Sequence, residues 1–137
     1  MPKKLILLVD DSPDDEFFFR RELKKAGLQN PVHSVESVDA AIGYLEGHGK
    51  YAERKQFPLP SVVVLDLNLP VKDGFEFLRC VRAKAHVRDL HVVVVTGVDR
   101  LEDINRAYEM GAGSFLTKPI RQDDLRKMAE TFSAYWE

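Results

Sequence analysis

The sequence has one cysteine, almost no net charge and no long apolar run. Cys80 is the only cysteine among 137 residues, which excludes an internal disulfide and favours a reducing compartment. A formal net charge of −2 offers no concentrated basic surface for the phosphates of nucleic acid. The opening Met-Pro-Lys-Lys precedes only five apolar residues, too few for a signal peptide, and no run approaches a membrane span. We therefore expect a cytoplasmic protein that binds neither nucleic acid nor membrane.

The composition and periodicity are those of one globular α/β domain. Apolar residues make up 45% of the chain and charged residues 31%. Short apolar runs rich in Val alternate with longer segments of helical period, which predicts a parallel sheet covered by helices on both faces. We predict strands near residues 4–10, 31–35, 61–66, 91–96 and 114–117. We predict helices near residues 13–26, 37–47, 74–85, 100–110 and 121–135. These elements use the whole of residues 1–137, so we expect a single doubly wound domain without a second, output domain.

Four of the predicted strands lead into a polar residue. The first runs into Asp10 and Asp11, the third ends at Asp66, the fourth at Thr96, and the fifth runs into Lys118. Taken alone, each has an ordinary interpretation as a helix cap, a turn or a surface residue. Their succession is what favours a functional site, because ligands of open parallel sheets bind beyond the carboxyl ends of the strands.

The types of these residues indicate a particular chemistry. Each pair of carboxylates 4 Å apart repels by roughly 4 kcal/mol at an effective dielectric near 20, so three of them require a cation. Oxygen ligands without Cys or His favour a hard ion, Mg²⁺ first, and Mg²⁺ binds phosphate oxygens. Lys118 adds a positive charge for such oxygens, and Asp66 is the carboxylate positioned to attack a phosphoryl group.

These motifs together resemble the receiver domain of two-component response regulators along the whole chain. Leu-Leu-Val-Asp-Asp-Ser resembles the acidic-pair strand of the family, and Leu-Asp-Leu-Asn-Leu-Pro resembles its phosphoacceptor strand. Val-Val-Thr-Gly and Thr-Lys-Pro resemble its hydroxyl and lysine strands. The resemblance implies the flavodoxin-like receiver fold, with five parallel strands in the order 2-1-3-4-5 and five helices.

The resemblance also implies roles for the acidic residues. Asp66 would accept a phosphoryl group from a kinase phosphohistidine. Asp11, Asp66 and the backbone carbonyl of Asn68 would bind Mg²⁺, and Asp10 would hold it through water.

Further residues would bind the phosphoryl group and transmit its presence. Thr96 and Lys118 would bind the phosphoryl oxygens, and a cis peptide would join Lys118 to Pro119. Phe115 occupies the place of the family's rotating aromatic side chain, although it also reads as a plain core residue. Val98 stands where many members carry a polar residue that affects the hydrolytic water, so the phosphoryl lifetime stays open.

Within the family, the chain is similar to single-domain regulators partnered with phytochrome-type histidine kinases. Asp-Ser-Pro-Asp-Asp, Leu-Asn-Leu-Pro, the long connection after the second helix and the aromatic end Phe132–Trp136 carry this likeness. A histidine kinase is therefore the expected partner, and the downstream protein target is unknown. The last helix carries an apolar stripe that exceeds what one face normally buries, so we predict a homodimer through it, with a last turn that folds back onto the domain as the alternative. The stripe comprises Leu125, Met128, Phe132, Tyr135 and Trp136.

Two other functions fit parts of the pattern. A dehalogenase-like phosphatase also uses a strand-end Asp with Mg²⁺, but it wants a second Asp two residues on, where Asn68 stands and cannot donate the proton. A pseudo-receiver would bind partners without phosphorylation, and the complete set of acidic and basic positions argues against it. We therefore expect a signalling protein that catalyses only its own phosphoryl transfer and slow autodephosphorylation.

Overall fold

The computed structural model of the chain describes residues 4–84, 89–97 and 100–136. Over these residues the chain forms a five-stranded parallel sheet in the order β2-β1-β3-β4-β5, which confirms the predicted topology. The strands are β1 (Ile6–Val9), β2 (Val32–Val35), β3 (Val62–Asp66), β4 (His91–Thr96) and β5 (Ser114–Thr117). The helices are α1 (Pro13–Lys25), α2 (Val38–Glu46), α3 (Gly74–Arg82), α4 (Leu101–Glu109), α5 (Gln122–Thr131) and α6 (Ser133–Trp136). None of these helices has the length and apolar character needed to cross a bilayer.

The sheet separates two apolar layers because successive side chains of a strand point to opposite faces. In β1, Leu7 and Val9 belong to the layer that α2 and α3 cover, and Ile6 and Leu8 belong to the layer of α1 and α5. The residues of β1, β3 and β4 are buried on both faces. This explains why those strands read as continuous apolar runs.

The first three helices begin at side chains that cap their free backbone N–H groups. The Ser12 hydroxyl accepts from the N–H of Asp15 at 3.2 Å, and Pro13 takes the first helical position. Ser37 caps α2 in the same way, and Asp73 caps α3. These caps fix where α1 and α3 start, and therefore where the loops that follow β1 and β3 end.

The last helix differs from the prediction. Instead of one helix near 121–135, α5 ends at Thr131, Phe132 leaves helical geometry with φ −117° and ψ 43°, and α6 follows. Tertiary contacts account for the break. The Phe132 ring packs 4.1 Å from the His91 ring, and the Trp136 indole N–H donates to His91 Nδ1 at 3.1 Å. These contacts turn the chain end back under the amino ends of the strands, so the predicted continuous helix is wrong.

The apolar stripe of the last helix is used within the domain. Leu125 and Trp136 are buried, and the other three members are partly buried against the same layer as α1. Residues of both α5 and α6 pack against this layer of the sheet. The stripe therefore packs largely within the domain, and the homodimer stays a prediction.

Candidate functional site

The carboxyl edge of the sheet collects the predicted polar residues. Asp66 is the last residue of β3 and Thr96 the last of β4, while Asp10 and Lys118 directly follow β1 and β5. Because the strands are parallel and pair in register, these four positions lie side by side. The side chains that sequence reasoning assigned to separate strands thus meet at one place.

Lys118 is the centre of this group. Its Nζ lies 3.0 Å from Asp10 Oδ2, 3.1 Å from Asp66 Oδ2 and 2.7 Å from Asp15 Oδ2. Burial by itself would lower the pKa of Lys118, but the bonds to Asp15 and Asp10 and the Asp66 charge outweigh it and raise the pKa above its usual value. The ammonium therefore stays charged, and its three N–H groups donate to three carboxylates.

Asp10, Asp11 and Asp66 form an acidic triad in which one carboxylate oxygen of each residue lies within 4.8 Å of those of the other two. Asp10 and Asp66 are only 8% and 9% exposed, whereas Asp11 faces solvent. Burial raises the pKa of Asp10, although the Ser12 N–H and Lys118 oppose this effect. Three carboxylates with one ammonium leave an excess of negative charge at a partly buried edge.

The triad has the chemistry of a hard divalent cation site. Its members are carboxylates only, with no His or Cys among them, and such oxygen sets suit Mg²⁺, Ca²⁺ or Mn²⁺. One oxygen of Asp10 and one of Asp66 are already oriented by the backbone N–H groups of Ser12 and Asn68, each at 2.9 Å. The residues present therefore fit a bound metal ion.

Thr96 is held in place by Asn68. The Asn68 side-chain amide donates to Thr96 Oγ1 at 2.9 Å, and the Thr96 side chain is almost fully buried. Phe115 is partly buried against the layer of α2 and α3, as a core residue or a movable aromatic residue both require. Val98, whose effect on phosphoryl lifetime was left open, lies outside the described residues.

The peptide bond between Lys118 and Pro119 is cis, as the resemblance implied. The backbone N–H of Lys118 also donates to the carbonyl of Thr96 at 2.8 Å. This hydrogen bond holds the backbone of Lys118 beside the end of β4.

Sequence reasoning missed two residues that shape this edge. Asp15, in the first turn of α1, gives Lys118 its shortest ion pair, yet the sequence offered only its place in Asp-Ser-Pro-Asp-Asp as a signal. Glu22 is buried, and its carboxylate accepts from the N–H of Gln122, the first residue of α5, at 3.1 Å. A negative charge at a helix N-terminus is stabilising, so Glu22 ties α1 to α5.

A cavity of about 450 Å³ opens beside Lys118, between α1 and the segment that follows β5. Its walls are largely apolar and include Phe18, Phe19 and Ile120. Phe19 is buried, while Phe17 on the outer face is 69% exposed. The site therefore borders an apolar recess on the side of α1.

Comparison with known proteins gives one consistent family. Residues 6–130 match the response regulator receiver domain. Response regulator Rcp1 of Synechocystis sp. is 33% identical over 135 residues, which are 98% of this chain and 90% of that protein.

Solved structures agree with this match. The crystal structure of the Mn(2+)-bound form of Rcp1 has a TM-score of 0.76 at 32% identity and covers 97% of this chain and 94% of that one. The bacteriophytochrome response regulator AtBRR has a TM-score of 0.83 at 34% identity and covers 98% of this chain and 95% of that one. The phosphorylated cyanobacterial phytochrome response regulator RcpA has a TM-score of 0.79 at 28% identity, covering 97% and 93%. The likeness in sequence extends over nearly the whole of Rcp1 as well as of this chain, and the chain belongs to the response regulator receiver domain family.

Proposed function

We propose that Asp66 accepts a phosphoryl group from the phosphohistidine of a histidine kinase. The observation that carries the proposal is the position of Lys118 Nζ, 3.1 Å from Asp66 Oδ2 and 3.0 Å from Asp10 Oδ2 at the edge that holds the acidic triad. A phosphoryl group on Asp66 would arrive next to this ammonium. The family assignment gives the same expectation independently.

The transfer exchanges one bond to phosphorus for another. An oxygen of the Asp66 carboxylate bonds to phosphorus while the bond from phosphorus to the kinase imidazole nitrogen breaks. The electron pair of the broken bond returns to that nitrogen. Lys118 donates to the phosphoryl oxygens and offsets their charge, which is the positioning and electrostatic help that such loose transition states need.

The metal of the proposal is Mg²⁺. Asp11, Asp66 and the backbone carbonyl of Asn68 would hold it, with Asp10 acting through water. When bound, it would neutralise charge on the triad and on the phosphoryl oxygens. The carboxylate-only composition of the triad supports a hard divalent ion, and Rcp1 has been crystallised in a Mn(2+)-bound form.

Phosphorylation of Asp66 would switch the conformation of a protein-binding surface. Phosphorylation adds about −1.5 to −2 charges and new acceptor oxygens at Asp66. Thr96, whose hydroxyl accepts from the Asn68 amide at 2.9 Å, would move to donate its O–H to those oxygens. Phe115 would then turn into the vacated space. Moving such an equilibrium from 1:99 to 99:1 takes about 5.5 kcal/mol of differential interaction.

The kinase partner is inferred from the phytochrome-associated response regulators that this chain resembles. We infer a phytochrome-type histidine kinase in the cytoplasm, where the free thiol of Cys80 stays reduced. Residues 1–137 act in this proposal as one receiver domain that catalyses only its own phosphorylation and slow dephosphorylation.

The homodimer stays a prediction, but the stripe of the last helix no longer supports it. A second copy can contact the exposed side chains of α4, Leu101 and Tyr108.

The experiment is phosphorylation by acetyl phosphate with Mg²⁺, followed by intact-mass spectrometry. We expect one phosphoryl group on the wild type and none on Asp66→Asn. Asp123→Asn is a matched control, since Asp123 is an exposed acid on α5 that pairs only with Arg126 among described residues. Labelling that survives Asp66→Asn, or that the control also removes, would contradict the assignment of the acceptor.

A further inference from the structure

Lys118 has an ion-pair partner that belongs to neither the sheet edge nor the acidic triad. Asp10, directly after β1, and Asp66, at the end of β3, contact its ammonium at 3.0 and 3.1 Å. Asp15 contacts it from the first turn of α1, at the shorter distance of 2.7 Å. The side chain of Asp15 is 44% exposed, compared with 6% for Asp10, so it reaches the ammonium from the solvent side.

The three contacts use all three N–H donors of the ammonium. An incoming phosphoryl oxygen must therefore displace one carboxylate before Lys118 can bond it. A metal ion on the triad would draw charge from Asp10 and Asp66, which weakens their hold on Lys118. Asp15 does not belong to the triad, so its attraction for the ammonium would remain.

We propose that Asp15 is a positioning residue that restrains Lys118 and competes with the phosphoryl group for its ammonium. This inference rests on the proposed function of Asp66 and adds a residue that sets how strongly the site holds a phosphoryl group. In the unphosphorylated protein the ion pair keeps Lys118 on the side of α1. On phosphorylation the ammonium turns from Asp15 to the new oxygens. The loss of the ion pair with Asp15 therefore offsets part of the free energy that Lys118 gains by binding the phosphoryl group.

The neighbouring residue Asp14 provides a matched control. It lies in the same first turn of α1 and lines the same cavity, but it is exposed and forms no ion pair with any residue that the structure describes. Asp14→Asn and Asp15→Asn remove the same charge from the same helix end. Only Asp15→Asn removes a competitor of Lys118.

The test is a titration of the full chain with beryllofluoride, a phosphoryl mimic, at saturating Mg²⁺, followed by fluorine NMR of the bound fluoride. We expect Asp15→Asn to reach half-saturation at about three- to fivefold lower beryllofluoride, the effect of one partly exposed ion pair. Asp14→Asn should stay near the wild type. Asp15→Glu restores the charge and should return the half-saturation point toward that of the wild type. A role that depended only on the shape of the Asp15 side chain would not predict this return.

Equal effects of Asp14→Asn and Asp15→Asn would overturn the proposal, because charge alone would then explain them. Unchanged or weaker mimic binding by Asp15→Asn would overturn it as well. Urea unfolding of each variant checks that the comparison is between folded proteins. If the wild type itself neither binds the mimic nor accepts a phosphoryl group, it is the proposed function of Asp66 that fails.

Discussion

His91 should make the stability of this protein depend on pH through a group that lies apart from the acidic triad. It is the first residue of β4, is 3% exposed, and lies among Phe132, Tyr135 and Trp136. Its Nδ1 accepts from the Trp136 indole, so its proton must sit on Nε2, which faces Ser114 Oγ at 3.0 Å. Burial lowers the pKa of His91 from 6.5 to about 4.

The sign of the effect follows from which state binds more protons. Between pH 6.5 and pH 4 the unfolded chain protonates this imidazole and the folded chain does not, so stability falls as the pH falls. The pKa difference of about 2.5 corresponds to about 3 kcal/mol when complete, and linkage gives about 2 kcal/mol lost between pH 7 and pH 5. Protonation would also place a second N–H against the Trp136 indole N–H.

Urea unfolding at pH 7 and pH 5 measures this loss when the wild type is compared with His91→Gln. The variant is less stable at pH 7, but it should lose about 2 kcal/mol less on acidification, or roughly 1 M in urea midpoint. Shifted pKa values elsewhere, of His33 and Asp10, are common to both proteins and cancel in the difference. Exposed His48 supplies the control as His48→Gln, whose stability should fall with pH as in the wild type. Parallel stability curves for the wild type and His91→Gln would show that the buried imidazole is not what excludes the proton.

Two further outcomes test the metal site and the backbone. Asp11→Ala should abolish the rise in melting temperature caused by Mg²⁺. Without metal it should leave stability unchanged or raise it, because it removes one of three repelling carboxylates. Equal stabilisation of the variant and the wild type by Mg²⁺ would exclude Asp11 as a ligand. Val71 is fully exposed at φ 68°, a conformation that costs a β-branched residue about 1–2 kcal/mol, so Val71→Asn should raise the free energy of unfolding by about 1 kcal/mol, and Val71→Ala should raise it less.

The sequence was sufficient for the inner strands of the sheet because β1, β3 and β4 are buried on both faces. Runs such as Val62–Leu65 can only be inner strands, and each polar residue that ends a run must then lie at the carboxyl edge. The positions of Asp10, Asp66 and Thr96 follow from these inner strands, whereas Lys118 follows the partly exposed edge strand β5.

What the sequence could not predict depends on side-chain reach and on distant contacts. The pairing of Asp15 with Lys118 requires the rotation of α1 and the direction of a flexible lysine. The break at Phe132 requires His91, some forty residues earlier in the chain, as a packing partner. The prediction extended the last helix to residue 135 because local helix preference contains no information about a distant packing partner such as His91.

The burial of Trp136 determines what the protein's fluorescence can report. It is the only tryptophan in the sequence, and it contacts the first residue of β4, whereas Thr96 at the phosphoryl edge is the last. Five residue steps of a strand separate the two ends by about 17 Å. Native indole emission should therefore follow unfolding closely while responding little to a metal ion or phosphoryl group at Asp66. A tryptophan introduced at Phe18, on the wall of the cavity beside Lys118, would move the optical signal to the reactive edge.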